Sequence, residues 1–199
     1  NVIAWLKKPN LGMIPLFMAG DKTFFHHASL IRKELGLSTS LFGMNRFEPA
    51  GFKTGFAGKD ETKTYANTFD ISKINKLKLL AFYSTQSFLN PSYLNSSLVD
   101  SMAGLQSYYF KKIDYLQVFD YFPWKENEVI GNLQKHYGWE SSLETKNTWR
   151  IGDASAPFYN YLYFYFAGFT ENDVYLSNLI RDGQISRDQA LIRIREDNL

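Results

Sequence analysis

The densest group of residues able to handle charge is Thr145 to Asn160, TKNTWRIGDASAPFYN. Lys146 and Arg150 stand four positions apart there. A guanidinium grips phosphate with two parallel N–H bonds, whereas an ammonium acts as a point charge, so this pair suits an anionic ligand. Gly152-Asp153 then turns the chain into an apolar helix whose N-terminus would lie nearby, and an Arg150–Asp153 bridge is the structural alternative. A second place is Gly20-Asp21-Lys22, after an apolar run and before a helical pattern, where backbone amides and Lys22 could meet an anion. Asp21 also reads as an N-cap. The third is Gly43-Met44-Asn45-Arg46-Phe47-Glu48-Pro49 with Gly51-Phe52-Lys53-Thr54-Gly55-Phe56, in which glycines let backbone approach a ligand and rings can stack on it. An ordinary surface loop has the same composition.

Other chemistries find little material. His26 and His27 are adjacent, so on a helix they point about 100° apart and do not share a ligand. Asp100, Asp114 and Asp120 have no spacing that suits acid–base work, and neither a Gly-x-Ser-x-Gly elbow nor a Gly-x-x-x-x-Gly-Lys-Ser/Thr loop occurs. With no cysteine there is no disulfide framework, thiolate metal site or cysteine nucleophile, which fits a reducing compartment.

The elements that would position these groups follow from periodicity. Met13 to Ala19 reads as a buried strand ending at Gly20-Asp21, Thr23 to Leu35 as a helix closed by Gly36, and Ser38 to Met44 as a second strand. Strand, helix and strand over this length make a βαβ unit and predict a parallel sheet. Asn45 to Thr68 reads as a long loop. Helices follow over Ile71 to Leu89 and Ser97 to Lys112, then a third strand over Tyr115 to Tyr121. Pro123-Trp124 opens a helix that Gly138 closes, and Ala156 to Ala167 reads as a buried helix. Thr170 to Asp173 and Ser186 to Gln189 are capping boxes that start the last two helices.

The expected fold is therefore α/β, with a parallel sheet in front and a mostly helical C-terminal part. It is read as a single unit over 1–199, with the α/β part at 1–122 and the helical part at 123–199. Hydrophobic residues at 45% and charged residues at 21% place the chain among globular proteins. The formal charge of +2 argues against nucleic acid as a partner and leaves any anion site local. The longest apolar stretch, Ala156 to Phe169, is too short to span a bilayer, for which about 20 residues are needed. The 17% aromatic content suits half-buried grooves and contacts, a subunit contact of a homo-oligomer among them.

Taken together, MIPLFMAGDK, LFGMNRFEPAGFKTGFAG, YFPWKENEVIGNLQKHYGW and the TKNTWRIGD turn leading into APFYNYLYFYFAGFTENDVYLSNLIRDGQISRDQAL resemble, in order, the later two thirds of the PP-loop sugar amidotransferases found with surface-polysaccharide genes. These belong to the PP-loop ATP pyrophosphatase superfamily and are often labelled N-acetyl sugar amidotransferase or glucosamine-6-phosphate synthetase-like. The resemblance spans nearly the whole chain, and Ser177 to Ala190 is its most diagnostic part. It implies a partial parallel, Rossmann-like sheet of the adenine nucleotide alpha hydrolase type, with an incomplete nucleotide-binding-like part at 1–122, and a cytoplasmic, ATP- and Mg²⁺-dependent, AMP-forming ligase that adenylates a sugar or nucleotide-sugar and transfers ammonia from a glutaminase partner. It places Lys146 and Arg150 in the catalytic Lys-x-Thr-x-Arg turn, where cations would neutralise a departing pyrophosphate. Thr148, Asp153, Asp21 and Lys22 fall to the nucleotide, and Asn45, Glu48 and Lys53 to the acceptor. The family's Ser-Gly-Gly-x-Asp-Ser phosphate loop is not in this sequence, so a missing N-terminal segment is expected, with the fragment inactive alone. The cysteines common in the middle of related enzymes are also lacking. A non-catalytic binding or scaffold module in a polysaccharide-assembly complex is the alternative, and a tRNA-modifying relative is disfavoured by the near-neutral charge.

Overall fold

The computed structural model describes residues 1–58, 72–109, 115–140 and 155–198. It is mostly helical, with one small parallel sheet of two strands, β1 (Ser40–Phe42) and β2 (Tyr115–Gln117). The chain packs as two compact units, 1–41 with 51–116 and 42–50 with 117–199, so the boundaries fall inside β1 and β2 and at 50/51. The sequence reads instead as one unit that turns helical after residue 122.

The first unit holds α1 (Val2–Lys7), α2 (Ala19–Glu34), the single turn α3 (Phe52–Gly55), α4 (Lys73–Leu89) and α5 (Ser97–Tyr109). The expected strand at Met13 to Ala19 is a 3₁₀ helix, Leu11–Met18, that continues directly into α2. The reason is local. The Asn10 side chain accepts from the Gly12 N–H at 2.9 Å and its carbonyl accepts from the Met13 N–H at 3.0 Å, which starts a helical turn. An apolar run with no polar punctuation has no period by which to tell a buried strand from a buried helical segment. Met13, Ile14 and Leu16 are buried there with Trp5, whose indole N–H donates to the Asn10 carbonyl at 2.8 Å. Gly12 is required by close approach, since a Cβ at that position would lie 2.6 Å from the Phe82 ring and 2.9 Å from the Phe56 carbonyl oxygen.

The α2–α5 pair is the main helix contact of this unit, with Phe25 buried and meeting Tyr108 edge-on at 5.1 Å. Ser72 caps α4 by accepting from the Asn75 N–H at 3.2 Å. At the other end Asn90 stops the helix, and its amide donates to the Ala4 carbonyl at 2.7 Å, tying α4 to α1.

The second unit holds α6 (Glu126–Tyr137), α7 (Ser155–Ala167), α8 (Glu171–Arg181) and α9 (Arg187–Asp197). Gly138 ends α6 at φ +62°, the left-handed conformation that a Cβ disfavours. Both capping boxes form: Thr170 accepts from the helix while the Asp173 carboxylate accepts from the Thr170 N–H at 2.7 Å, and Ser186 with Gln189 repeats the arrangement. The core gathers Phe47, Tyr175, Leu176, Leu179 and Ala190, with Trp124, Ile180, Ile185 and Ile194 against it. The expectation of a buried α7 is corrected in part. Ala156, Tyr159, Leu162 and Tyr163 are buried, whereas Tyr161, Tyr165 and Phe166 are exposed, because a single helix face meets the unit. The third strand is also shorter than expected, β2 giving way to a 3₁₀ turn at Val118–Asp120.

Two substitutions check this packing. Leu179→Ala, at a fully buried position, is expected to lower the unfolding free energy by about 2–5 kcal/mol in urea denaturation. Gly12→Ala is expected to cost about 1–3 kcal/mol by forcing Phe82 or the Phe56 backbone to move.

Candidate functional site

Within the second unit, the polar side chains converge on the segments that carry the resemblance. Asn45 is buried, accepts from the Phe47 N–H at 2.9 Å and donates to the Glu48 Oε1 at 2.7 Å. That oxygen also accepts from the Asn45 N–H at 3.3 Å. The two acceptor-binding candidates therefore close a turn on each other, and this turn drives Phe47 into the core. From α8, Asn178 donates to the Phe47 carbonyl at 3.0 Å, and Asp182, which caps the C-terminal end of that helix, pairs with Arg46.

A second network starts at α6. The Glu126 carboxylate is buried and accepts two bonds from Arg193 of α9, at 2.8 and 3.3 Å, and one from the Tyr175 hydroxyl at 3.2 Å. The Gln184 side chain accepts from the Glu126 N–H at 3.2 Å and donates to the Trp124 carbonyl at 2.8 Å and to Asp182 at 2.9 Å. A carboxylate at a helix N-terminus is favoured by the helix dipole, and the paired guanidinium compensates its loss of water. Burial, and then the Glu126 charge, push the Tyr175 hydroxyl well above its usual pKa of about 10. In α7 and α8, Asn160 and the buried Glu171 exchange two bonds, the Glu171 N–H donating to Asn160 Oδ1 at 3.1 Å and Asn160 Nδ2 donating to Glu171 Oε2 at 3.4 Å.

The remaining candidates are placed differently. Gly20-Asp21-Lys22 lies inside the first turns of α2 instead of in a loop after a strand, because the segment before it is helical. The Asp21 side chain falls outside the described ones. The Lys22 ammonium sits 4.0 Å from the centre of the Tyr108 ring, a cation–π contact within the first unit. Lys53 is half-buried in α3, also in the first unit, whereas Asn45 and Glu48 belong to the second. Lys146, Thr148, Arg150 and Asp153 lie outside the described residues.

Glu126, Tyr175, Arg193 and the Asn160–Glu171 pair escaped sequence reasoning. Their only local signal is that charged or amide groups stand among core-forming residues. Among the described residues, no three His, Asp or Glu side chains gather as metal ligands, and no helix is long and apolar enough to cross a membrane. A shallow groove between α8 and α9 is lined by Leu176, Ile180, Leu191 and Ile194 with Asp173 and Arg187. No protein-family model, curated protein or solved structure matches the chain.

Glu126→Ala is expected to destabilise the protein by about 3–5 kcal/mol, since Arg193 is left without its buried partner. Alkaline pH gives an independent check. Tyr175 keeps its proton in the fold after unfolded tyrosines lose theirs, so above pH 10 the native state binds more protons than the unfolded one. Stability is then expected to fall as pH rises from 10 towards 12, with a shallower slope in Tyr175→Phe, measured by urea midpoints across that range.

Proposed function

We propose that this chain is the later part of an ATP-dependent, AMP-forming amidotransferase of the PP-loop superfamily, acting on a sugar in surface-polysaccharide synthesis. The observation that carries the reading is where the resembling segments lie. Residues from LFGMNRFEPAG, from YFPWKENEVIG and from TENDVYLSNLIRDGQISRDQAL, far apart in sequence, are bound together in the second unit through Phe47–Asn178, Arg46–Asp182 and Glu126–Arg193. Segments that a family retains together are expected to be those that depend on one another physically.

In this proposal the chemistry belongs to Lys146 and Arg150, whose charges offset that building on a departing pyrophosphate, while Thr148 and Asp153 bind the nucleotide. Asn45 and Glu48 position the acceptor side by holding the Arg46–Phe47 turn within the second unit. In this proposal Mg²⁺ assists the ATP, and the main phosphate grip belongs to the family's Ser-Gly-Gly-x-Asp-Ser loop, which is not in this sequence. The proposed fold for the whole enzyme is the Rossmann-like type, the enzyme is cytoplasmic, and ammonia comes from a glutaminase partner. A second reading, a non-catalytic docking module, is favoured by one observation, the exposed Tyr161, Tyr165 and Phe166 of α7.

The test uses a polypeptide that carries the phosphate loop ahead of these residues. Arg150→Ala is expected to lower ATP–pyrophosphate exchange by about 100-fold or more with the circular dichroism spectrum unchanged. Exchange at the parental rate in this variant would remove Arg150 from the chemistry. A parental protein with no exchange at all, yet with a partner lost on Tyr165→Ser, would favour the docking module.

A further inference from the structure

In the first unit, the face of α2 that turns away from α5 carries a pattern that matches itself when reversed. Phe25 and His26 point to α5, where they meet Tyr108 and Ser107. On the other side His27, Leu30, Ile31 and Glu34 stand at i, i+3, i+4 and i+7, which places them within about 100° of the helix circumference. All four are exposed, Leu30 at 48% and Ile31 at 54%. Phe24 and Leu35, 43% and 64% exposed, widen the face on the Ile31 side. The two apolar residues hold the middle, and the imidazole and the carboxylate lie to either side, each about 5 Å along the axis from the midpoint between Leu30 and Ile31. Among the described residues no ion pair engages Glu34.

We propose that this face is a two-fold interface on which α2 packs antiparallel against α2 of a second copy of the chain. A two-fold axis through that midpoint brings residue 27 of each copy opposite residue 34 of the other, because both are equally far from it. The His27 ring N–H then donates to the Glu34 carboxylate of the second copy, twice in the dimer. Between these pairs Leu30 meets Leu30 and Ile31 meets Ile31, while Phe24 of one copy reaches Leu35 of the other. The polar groups select this occupant. A parallel pair would set Glu34 against Glu34, and a lipid surface would receive a carboxylate in the centre of the stripe. One helix pair is at the small end of protein interfaces, so association is expected in the micromolar range.

The experiment is sedimentation velocity of the full chain from about 1 to about 300 µM, a range that covers micromolar dissociation constants. A concentration-dependent dimer is expected. Glu34→Lys is expected to weaken it about tenfold or more, and His27→Glu combined with Glu34→Lys to restore it, since the reversed groups face each other again across the axis. Ile31→Asp is expected to leave a monomer. All three variants are expected to keep the parental melting temperature at the lowest concentration, because these side chains face solvent. A chain that is monomeric throughout the range would overturn the proposal, as would a dimer indifferent to Ile31→Asp and Glu34→Lys, which places the contact elsewhere. So would a dimer that Glu34→Lys weakens and the double reversal does not restore. A monomer that instead partitions onto lipid vesicles would assign the face to a membrane and overturn it equally.

Discussion

The Glu126 carboxylate stands at the first turn of α6 with almost no access to water, and Arg193 holds both of its oxygens. A carboxylate taken from water at this cost needs a cation and further donors, and the Tyr175 hydroxyl supplies one more. Those partners come from α9 and α8, so the ion pair requires three helices to arrive together. The Gln184 side chain extends the requirement by linking the start of α6 to the turn after α8. The apolar cluster of Phe47, Tyr175, Leu176, Leu179 and Ala190 stabilises the same arrangement without direction. The polar contacts supply the register, because a shifted helix would strand a buried charge.

The turn at Asn45 to Glu48 connects this constraint with the proposed chemistry. It follows β1, its polar atoms are engaged with each other, and its Phe47 ring is a member of the core. Asn178 and Asp182 of the C-terminal helix pair hold it from the other side. A residue type that suggests ligand binding when read singly thus performs a structural task, and an amidotransferase role for Asn45 and Glu48 is one of positioning. In the proposed reading, the cations for a triphosphate are Lys146 and Arg150, which precede α7 in the sequence.

The first unit is organised differently. Asparagines at 1, 10 and 90 donate to or accept from backbone groups at helix junctions, and Trp5, Met13, Ile14, Phe25 and Tyr93 fill the space between. Its helices leave a good deal of apolar surface in water, most clearly along α4. Single exposed apolar side chains are ordinary on a protein surface.

Helix ends were legible in the residues themselves. Thr170 with Asp173, Ser186 with Gln189, Gly36 and Gly138 act within a few positions of where they stand, so type and spacing are sufficient to locate them. The outlines of α4, α5, α6, α8 and α9 followed from the same short-range rules, to within a few residues. The conformation of Leu11 to Met18 was not legible, because an apolar run without polar residues satisfies a buried strand and a buried helix equally, and a turn begun by Asn10 decided it. Nor was the exposed side of α7, whose aromatic residues read as buried all round until packing covered only one face. The sequence by itself determined local caps, helix lengths and the absence of cysteine chemistry. Only tertiary structure decided that Glu126 meets Arg193 across 67 positions, that Asn45 closes on Glu48, and that Lys22 rests on Tyr108. Those outcomes depend on which helices share a core, and burial couples residues without regard to their distance along the chain.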